Sequence, residues 1–213
     1  MAETQNLPAG RFSTWRAQVG VDVPCGTCTA CCTSSQFVHI GPDETATLAR
    51  IPKALLFPAP GLPKGHAHGA ASRAAHVVMG YDERGHCPMF VDGACSIYEH
   101  RPRTCRTYDC RVFPAAGLEP DHDGGAKITE QVRRWRFDVP EPEDETLRSA
   151  VRAAAAYLRA NAHLLPGLVP GNPTQLAFLA VDVCEVFLER LATGELRVVT
   201  PALDAVRAAL TSR

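Results

Sequence analysis

The sequence lacks long apolar runs, and it has few aromatic residues and almost no net charge. No stretch approaches the roughly 18 apolar residues of a membrane helix, so we expect no membrane span. Aromatic residues make up 7% of the chain, which provides no stacking platform for nucleic acid. The formal net charge is -1, which argues against a generally basic nucleic-acid-binding protein.

The N-terminus also lacks the pattern of a secretory signal peptide. Residues 1–20 contain no basic start followed by an apolar segment and a small-residue cleavage site. We therefore expect a cytoplasmic protein whose thiols stay reduced. The sequence contains no P-loop, no dinucleotide-binding fingerprint, no Gly-x-Ser-x-Gly and no His-Glu-x-x-His, so it predicts no particular reaction.

Cysteine, in contrast, is abundant, with nine copies in 213 residues. Eight of them form two clusters, CGTCTACC at residues 25–32 and a second group with x7, x9 and x4 spacings at residues 87–110. A Cys-x2-Cys step lets two thiolates converge on one ion. Clustered cysteines in a reducing compartment bind metal more often than they form disulfides or pack as plain thiols. The predicted metal ligands are Cys25, Cys28, Cys31, Cys32, Cys87, Cys95, Cys105 and Cys110.

The spacing leaves zinc and iron open. Residues 25–31 match the first three positions of a bacterial iron–sulfur run, whose fourth ligand lies elsewhere in the chain. Zinc also accepts four thiolates and tolerates long loops between them. Because Cys31 and Cys32 are neighbours with diverging side chains, we expect them to serve different ions or different corners of one cluster.

Other polar residues near the clusters are weaker candidates. Four arginines, Arg101, Arg103, Arg106 and Arg111, could offset thiolate charge or lie in solvent. Four histidines could replace a thiolate, but we expect solvated or hydrogen-bonded side chains at His66, His68, His86 and His100. Cys184 lies on the apolar stripe of a predicted helix, where a small core residue is expected.

The two clusters together resemble the CxxCxxCC family, the YkgJ-type proteins described as zinc- or iron-chelating. That family carries an early CxxCxxCC, matched by residues 25–32, and four later motifs. The later matches are Cys87-Pro88, Gly93-Ala94-Cys95-Ser96-Ile97-Tyr98, Arg101-Pro102 and Cys105-Arg106 through Cys110. The resemblance implies metal chelation and supplies no reaction.

The pattern of apolar residues predicts an α+β fold that is mainly helical. A metal-nucleated cysteine domain with a small β-ribbon is expected over 1–139, and a helical part packed on it over 140–213. Strands are predicted at 37–40, 76–81, 89–91 and 134–139, with residues 89–91 returning along 76–81 and a tight turn at Asp92-Gly93. The acidic, proline-containing residues 140–145 predict a linker. After it, apolar residues at three- and four-residue spacing predict three helices: one from Leu147, one from Asn172 to Gly194, and one after Pro201.

Three functions fit this sequence. The first is a cytoplasmic protein that chelates zinc or iron through the two clusters. The second is an iron–sulfur redox or modifying enzyme. The third is an interaction module for protein or nucleic acid, for which the arginines between Arg101 and Arg111 are the only motive. A metal ion is the one predicted partner, nucleic acid is disfavoured, and no protein partner is predicted.

Overall fold

The structure is a computed structural model that describes residues 6–23, 26–59, 76–120 and 126–212. The helices of this part of the chain are α1 (Phe12–Ala17), α2 (Thr45–Leu48), α3 (Arg103–Thr107), α4 (Val112–Ala116), α5 (Ala126–Arg134), α6 (Pro142–Ala160), α7 (Pro173–Val183) and α8 (Leu203–Thr211). The strands are β1 (Leu7–Arg11), β2 (Val38–Ile40), β3 (Leu56–Pro58), β4 (Val77–Met79), β5 (Phe90–Val91), β6 (Ala94–Cys95), β7 (Trp135–Asp138), β8 (Leu188–Arg190) and β9 (Leu196–Val198).

Helices account for 46% of the structure and alternate with several small sheets, so the fold is mixed α+β. None of the described helices combines the length and the apolar character needed to cross a membrane.

The contacts divide the chain into two compact units. The helical unit comprises Met1–Val19, Cys110–Asp121 and Thr129–Arg213, and the cysteine unit comprises Gly20–Asp109 and His122–Ile128. Both units draw on segments that are distant in sequence. The predicted domain boundary after residue 139 stays a prediction, because compact packing does not tell which stretches fold alone.

Helix α6 is the longest element of the helical unit, and its start corrects the predicted linker. Pro142 occupies the first turn, and Glu141 and Asp144 form a reciprocal capping box with each other's backbone N–H groups. The acidic residues at 140–145 therefore begin a helix, where negative charge is favourable. The residues of the inner face then follow at helical spacing and are buried: Leu147, Ala150, Val151, Ala154, Ala155 and Leu158.

An aromatic cluster links the N-terminus to β7. Strand β1 pairs in parallel with β7, and the two strands carry the chain into α1 and α6. The rings of Phe12, Trp15 and Phe137 lie with centroids 4.7–5.4 Å apart. The predicted alternation at 134–139 is confirmed, because Trp135 and Phe137 are half-buried and Arg136 and Asp138 are exposed.

The predicted helix from Asn172 begins as expected and ends early. Asn172 caps α7 by accepting a 3.1 Å hydrogen bond from the Gln175 N–H, and Pro173 takes the first helical position. The extension to Gly194 is wrong. The helix ends at Val183, Cys184–Phe187 form a 3-10 turn, and β8 and β9 form a hairpin in which Gly194 adopts a φ of 89°. The last predicted helix is confirmed as α8.

The cysteine unit is built from short strands. A three-stranded antiparallel sheet has the order β2-β4-β3, and β5 pairs with β6 around the predicted Asp92-Gly93 turn. The ribbon in which residues 89–91 would return along 76–81 is wrong, because β4 pairs with β2 and β3 instead. One buried apolar cluster underlies this unit: Val38, Ile40, Ile51, Met79 and Ile97.

Candidate metal centre

Six of the eight predicted ligands lie in the cysteine unit and are described. Cys31 is exposed, and the others are half-buried: Cys28, Cys32, Cys87, Cys95 and Cys105. Cys110 is half-buried in the helical unit. Cys25, like His66 and His68, lies outside the described residues.

No disulfide joins any two of the eight described cysteines. Within the described ranges, no three or more side chains of cysteine, histidine, aspartate or glutamate are grouped closely enough to hold a metal ion. The backbone nevertheless brings segments of the two cysteine clusters together at two places.

A first backbone contact joins the end of one cluster to the start of the other. The N–H of Cys87 donates to the carbonyl of Cys32 over 2.8 Å. Three residues along, the Ser35 N–H donates to the Gly85 carbonyl over 2.8 Å, so the segments of Cys32 and Cys87 run side by side. Cys32 and Cys87 are thus neighbours in space although 55 positions separate them.

A second contact holds the chain just ahead of the first cluster. The Val23 N–H donates to the Arg106 carbonyl over 2.6 Å, and Arg101 donates from Nη2 to the Val23 carbonyl over 3.1 Å. Arg101 also forms an ion pair with Asp22. Cys105 precedes Arg106, so the first cluster is tied to the second at both of its ends.

Cys87, Cys95 and Cys105 all pack against the apolar cluster of the cysteine unit. Cys95 faces Phe90 across the β5–β6 hairpin, and the Phe90 N–H donates to the Cys87 carbonyl over 2.8 Å. Burial raises the pKa of the Cys87 thiol, backbone N–H groups of Met89 and Phe90 oppose this, and the nearby Cys95 adds to the increase. Cys87 and Cys95 therefore share one apolar environment.

A buried carboxylate that was missed in the sequence orients the helix carrying Cys105. Glu44 is 8% exposed, and its two carboxylate oxygens accept hydrogen bonds from the Gly41 and Arg103 N–H groups. The Thr104 hydroxyl adds a 2.7 Å bond to the His39 carbonyl. Helix α3 is thus fixed to β2 and to the start of α2. The only sequence signal was an acidic residue near a helix start, 59 positions from Arg103.

Two of the arginines and one of the histidines near the second cluster form contacts that the structure describes. Arg101 is buried and lies 4.0 Å above the Tyr98 ring, and Arg103 forms an ion pair with Asp43. Of the two roles that the sequence left open, a position in solvent is therefore excluded for Arg101. The His86 ring packs edge-on against Phe90 at 5.7 Å, and its place outside the ligand set stays a prediction.

Cys110 and Cys184 are both held in the helical unit. The Trp135 indole Nε1–H donates to Cys110 Sγ over 3.2 Å, a contact that the sequence did not indicate. Cys184 is fully buried, as expected of a core residue, and its sulfur accepts from Arg16 Nε over 3.3 Å. Burial raises the pKa of the Cys184 thiol despite the lowering effect of Arg16.

The comparisons with known proteins agree with the cysteine pattern. A family model described as "CxxCxxCC: Putative zinc- or iron-chelating domain" matches residues 24–131, just over half of the chain. The match contains all eight predicted ligands and ends before Trp135 and Cys184. No curated protein and no solved structure matches the chain significantly.

Proposed function

The chain belongs to the CxxCxxCC family, and on that premise we propose that it binds zinc or iron through its two cysteine clusters. The proposed ligands are those of the sequence prediction: Cys25, Cys28, Cys31, Cys32, Cys87, Cys95, Cys105 and Cys110. We propose a cytoplasmic location as well, because thiolate ligands require a compartment in which cysteines stay reduced.

The hydrogen bond between the Cys87 N–H and the Cys32 carbonyl is the observation that carries this proposal. It brings the two sequence clusters to one place, and the Val23–Arg106 bond ties the other end of the first cluster to the segment of Cys105. Packing of plain thiols explains a buried cysteine such as Cys184. It does not explain two cysteine clusters linked at both ends.

The chemistry of the donors fits zinc and iron. Both metals accept several thiolates, and the described cysteines of the two clusters are half-buried or exposed and form no disulfide with one another. Binding of a structural metal is coupled to folding, because its ligands are rarely preformed in the unfolded chain. We therefore propose that the metal organises the cysteine unit as well as occupying it.

A bound zinc ion would supply a structural cross-link, and an iron–sulfur cluster would supply electron transfer. Zinc or iron chelation is the main candidate. The iron–sulfur enzyme remains the alternative, and it is favoured by the two successive Cys-x2-Cys steps at 25–31.

Elemental analysis of the full chain, purified without oxygen, tests the proposal. We expect at least about one equivalent of zinc or iron per chain, as one thiolate site requires. Less than one equivalent of zinc plus iron, after incubation with both ions, contradicts the proposal. A coloured protein that releases sulfide on acidification selects the iron–sulfur alternative.

Serine variants identify the ligands. Cys32→Ser and Cys87→Ser should each reduce the bound metal, because an alcohol is a poor ligand for these ions at neutral pH. Cys184→Ser is the matched control, since serine keeps an acceptor for Arg16 and the site lies outside both clusters. Equal metal loss in all three variants would point to general misfolding and would contradict the assignment.

A further inference from the structure

We infer that Trp135 is a positioning residue for the metal site, acting through the sulfur of Cys110. The inference rests on the proposed function and adds to it a residue outside both cysteine clusters and outside the matched family segment. Its direct observation is the 3.2 Å hydrogen bond from Trp135 Nε1 to Cys110 Sγ.

The tryptophan side of this contact is held in place by two neighbours, Leu7 and Arg111. Trp135 opens β7 and pairs with Leu7 of β1, so its backbone belongs to a sheet. The Arg111 guanidinium lies 6.0 Å from the centre of the indole ring and also donates to the Ala9 carbonyl over 3.3 Å. The indole is therefore restrained by strand pairing and by a cation over its face.

The cysteine side is anchored equally well. The Cys110 carbonyl accepts a 3.3 Å hydrogen bond from the Phe113 N–H at the start of α4. Val112 and Phe113 of that helix have no exposed surface. Since both partners are attached to buried elements of the helical unit, the N–H···S contact is part of the fold and not a chance surface contact.

The chemistry of the indole explains why this contact suits a metal ligand. An indole N–H can only donate, so the bonded sulfur must act as an acceptor. A metal-bound thiolate is an anionic acceptor, and hydrogen bonds from surrounding groups orient such ligands and strengthen their binding. Cys110 is half-buried and can reach an ion, whereas Cys184, which also accepts an N–H, is fully enclosed.

Trp135→Phe in the full chain tests the inference. We expect the affinity for zinc, measured against a chromophoric chelator, to fall about tenfold, as is typical when a partner of a metal ligand is removed. We also expect the cobalt–thiolate absorption band of the cobalt-loaded protein to shift, because one sulfur loses its hydrogen bond. Trp15→Phe is the matched control, since Trp15 packs against Phe12 and Phe137 in the same unit.

A second variant covers the case in which phenylalanine disturbs the fold. Replacement of Trp135 by benzothienylalanine keeps the bicyclic ring and removes only the N–H, and it should reproduce the loss of affinity. The chain has two tryptophans, so Trp15→Phe leaves Trp135 as the only indole emitter. Its emission should change on zinc binding, and Cys110→Ser should abolish that change.

The outcomes distinguish a failure of the inference about Trp135 from a failure of the proposed metal binding. Unchanged affinity and an unshifted cobalt band in both Trp135 variants overturn the inference alone. An equal loss in the Trp15 and Trp135 variants also overturns it, because the effect would then be general. A native chain that binds neither zinc, iron nor cobalt overturns the proposed function and the inference together.

Discussion

The two units of this protein are stabilised by different means. The helical unit encloses large side chains that have almost no exposed surface: Phe12, Phe113, Leu158, Leu165 and Phe187. The described part of the cysteine unit has one small apolar cluster of five buried residues, with three cysteines packed against it. The first unit has a large apolar core, whereas the second has the small core that natural proteins often supplement with a metal or a cross-link.

The secondary structure of the two units differs as well, because the helices of the cysteine unit are much shorter than α6. Helix α6 has 19 residues, a proline in its first turn and a capping box, so it is well formed in its own right. The helices α2 and α3 of the cysteine unit have four and five residues, which is too short for independent stability. Side chains such as Glu44 and Thr104 hold them by bonding to distant backbone groups. The cysteine unit therefore depends on specific tertiary bonds, and metal ligation would be one more of them.

Metal removal gives the largest expected difference between the units. A strong chelator should abolish protection from hydrogen exchange in peptides of Gly20–Asp109 while protection persists in α6 and α7. Structural zinc contributes about 10–16 kcal/mol in small zinc domains, more than the whole stability of many proteins. Hydrogen exchange followed by mass spectrometry measures the protection of peptides from both units in one experiment.

The control is the same protein reloaded with zinc after chelation, which should regain its protection. Equal protection in the chelated and loaded proteins would contradict a metal-organised cysteine unit. Equal loss in both units would contradict the contrast between them.

A substitution in the core of the helical unit should destabilise that unit and leave metal binding intact. Phe187 is 1% exposed and packs edge-on against Tyr157 at 5.5 Å, so Phe187→Ala leaves a cavity in the helical unit. We expect the free energy of unfolding to fall by about 3–5 kcal/mol and the metal content to stay unchanged. Chemical denaturation and elemental analysis measure the two quantities.

The matched control is Phe57→Ala, at a ring that is 59% exposed in the cysteine unit. It should change stability by less than about 0.5 kcal/mol, since little packing is lost. A loss of metal in Phe187→Ala alone would show that the core of the helical unit also supports the metal site.

Local patterns in the sequence predicted local structure well. The Asp92-Gly93 turn, the Asn172-Pro173 helix start and the alternating strand at Trp135 each depend on neighbouring residues, and all three are confirmed. The prediction of a helix that extends to Gly194 is wrong. The apolar residues after Val183 keep a helix-like spacing in the sequence, but they lie in a 3-10 turn and a β-hairpin, which also bury apolar side chains.

The candidate site was predictable in composition and not in arrangement. Spacing identified the cysteines as a group, and the family match supports that reading. The contacts that arrange them join residues far apart in sequence, such as Cys32 with Cys87 and Cys110 with Trp135. Only the folded chain brings such partners together, and a single sequence carries no signal for them.

Acid should affect the helical unit through Asp144. This carboxylate is fully buried and accepts hydrogen bonds from Arg11 Nε at 2.9 Å and the Ser13 N–H at 3.1 Å. Burial alone would raise the pKa of Asp144, but the bonds from Ser13 and Arg11 outweigh it and lower the pKa to about 2. The stabilisation is therefore complete above the ordinary value of 3.8 and is lost as the pH falls toward 2.

Asp144→Asn should lower the free energy of unfolding at pH 7 by about 1–3 kcal/mol, the usual result of leaving buried hydrogen-bonding groups without a full partner. It should also flatten the stability curve between about pH 4 and pH 2. Denaturant titrations across that range measure both effects. Asp204→Asn, on the first turn of α8 at an exposed position, is the control and should keep the native pH dependence. A native-like acid slope in Asp144→Asn would show that other carboxylates dominate.

Two glycines allow the finest comparison of the units. Gly85 has a φ of 76° beside the Cys32–Cys87 contact, and Gly194 has a φ of 89° in the β8–β9 hairpin. An added Cβ would lie 2.3 Å from Ser35 Oγ at Gly85, whereas at Gly194 it meets nothing within 4 Å. Alanine in this conformation costs about 1–2 kcal/mol at either position.

We therefore expect Gly85→Ala to lose more stability than Gly194→Ala, and only Gly85→Ala to weaken zinc binding. Strain of about 1 kcal/mol passed to the metal site corresponds to a roughly fivefold loss of affinity. Adding Ser35→Ala to Gly85→Ala removes the clash and should recover part of that loss. Equal zinc affinity in the two glycine variants would show that the Ser35–Gly85 pairing does not position the Cys32 and Cys87 segments for the ion.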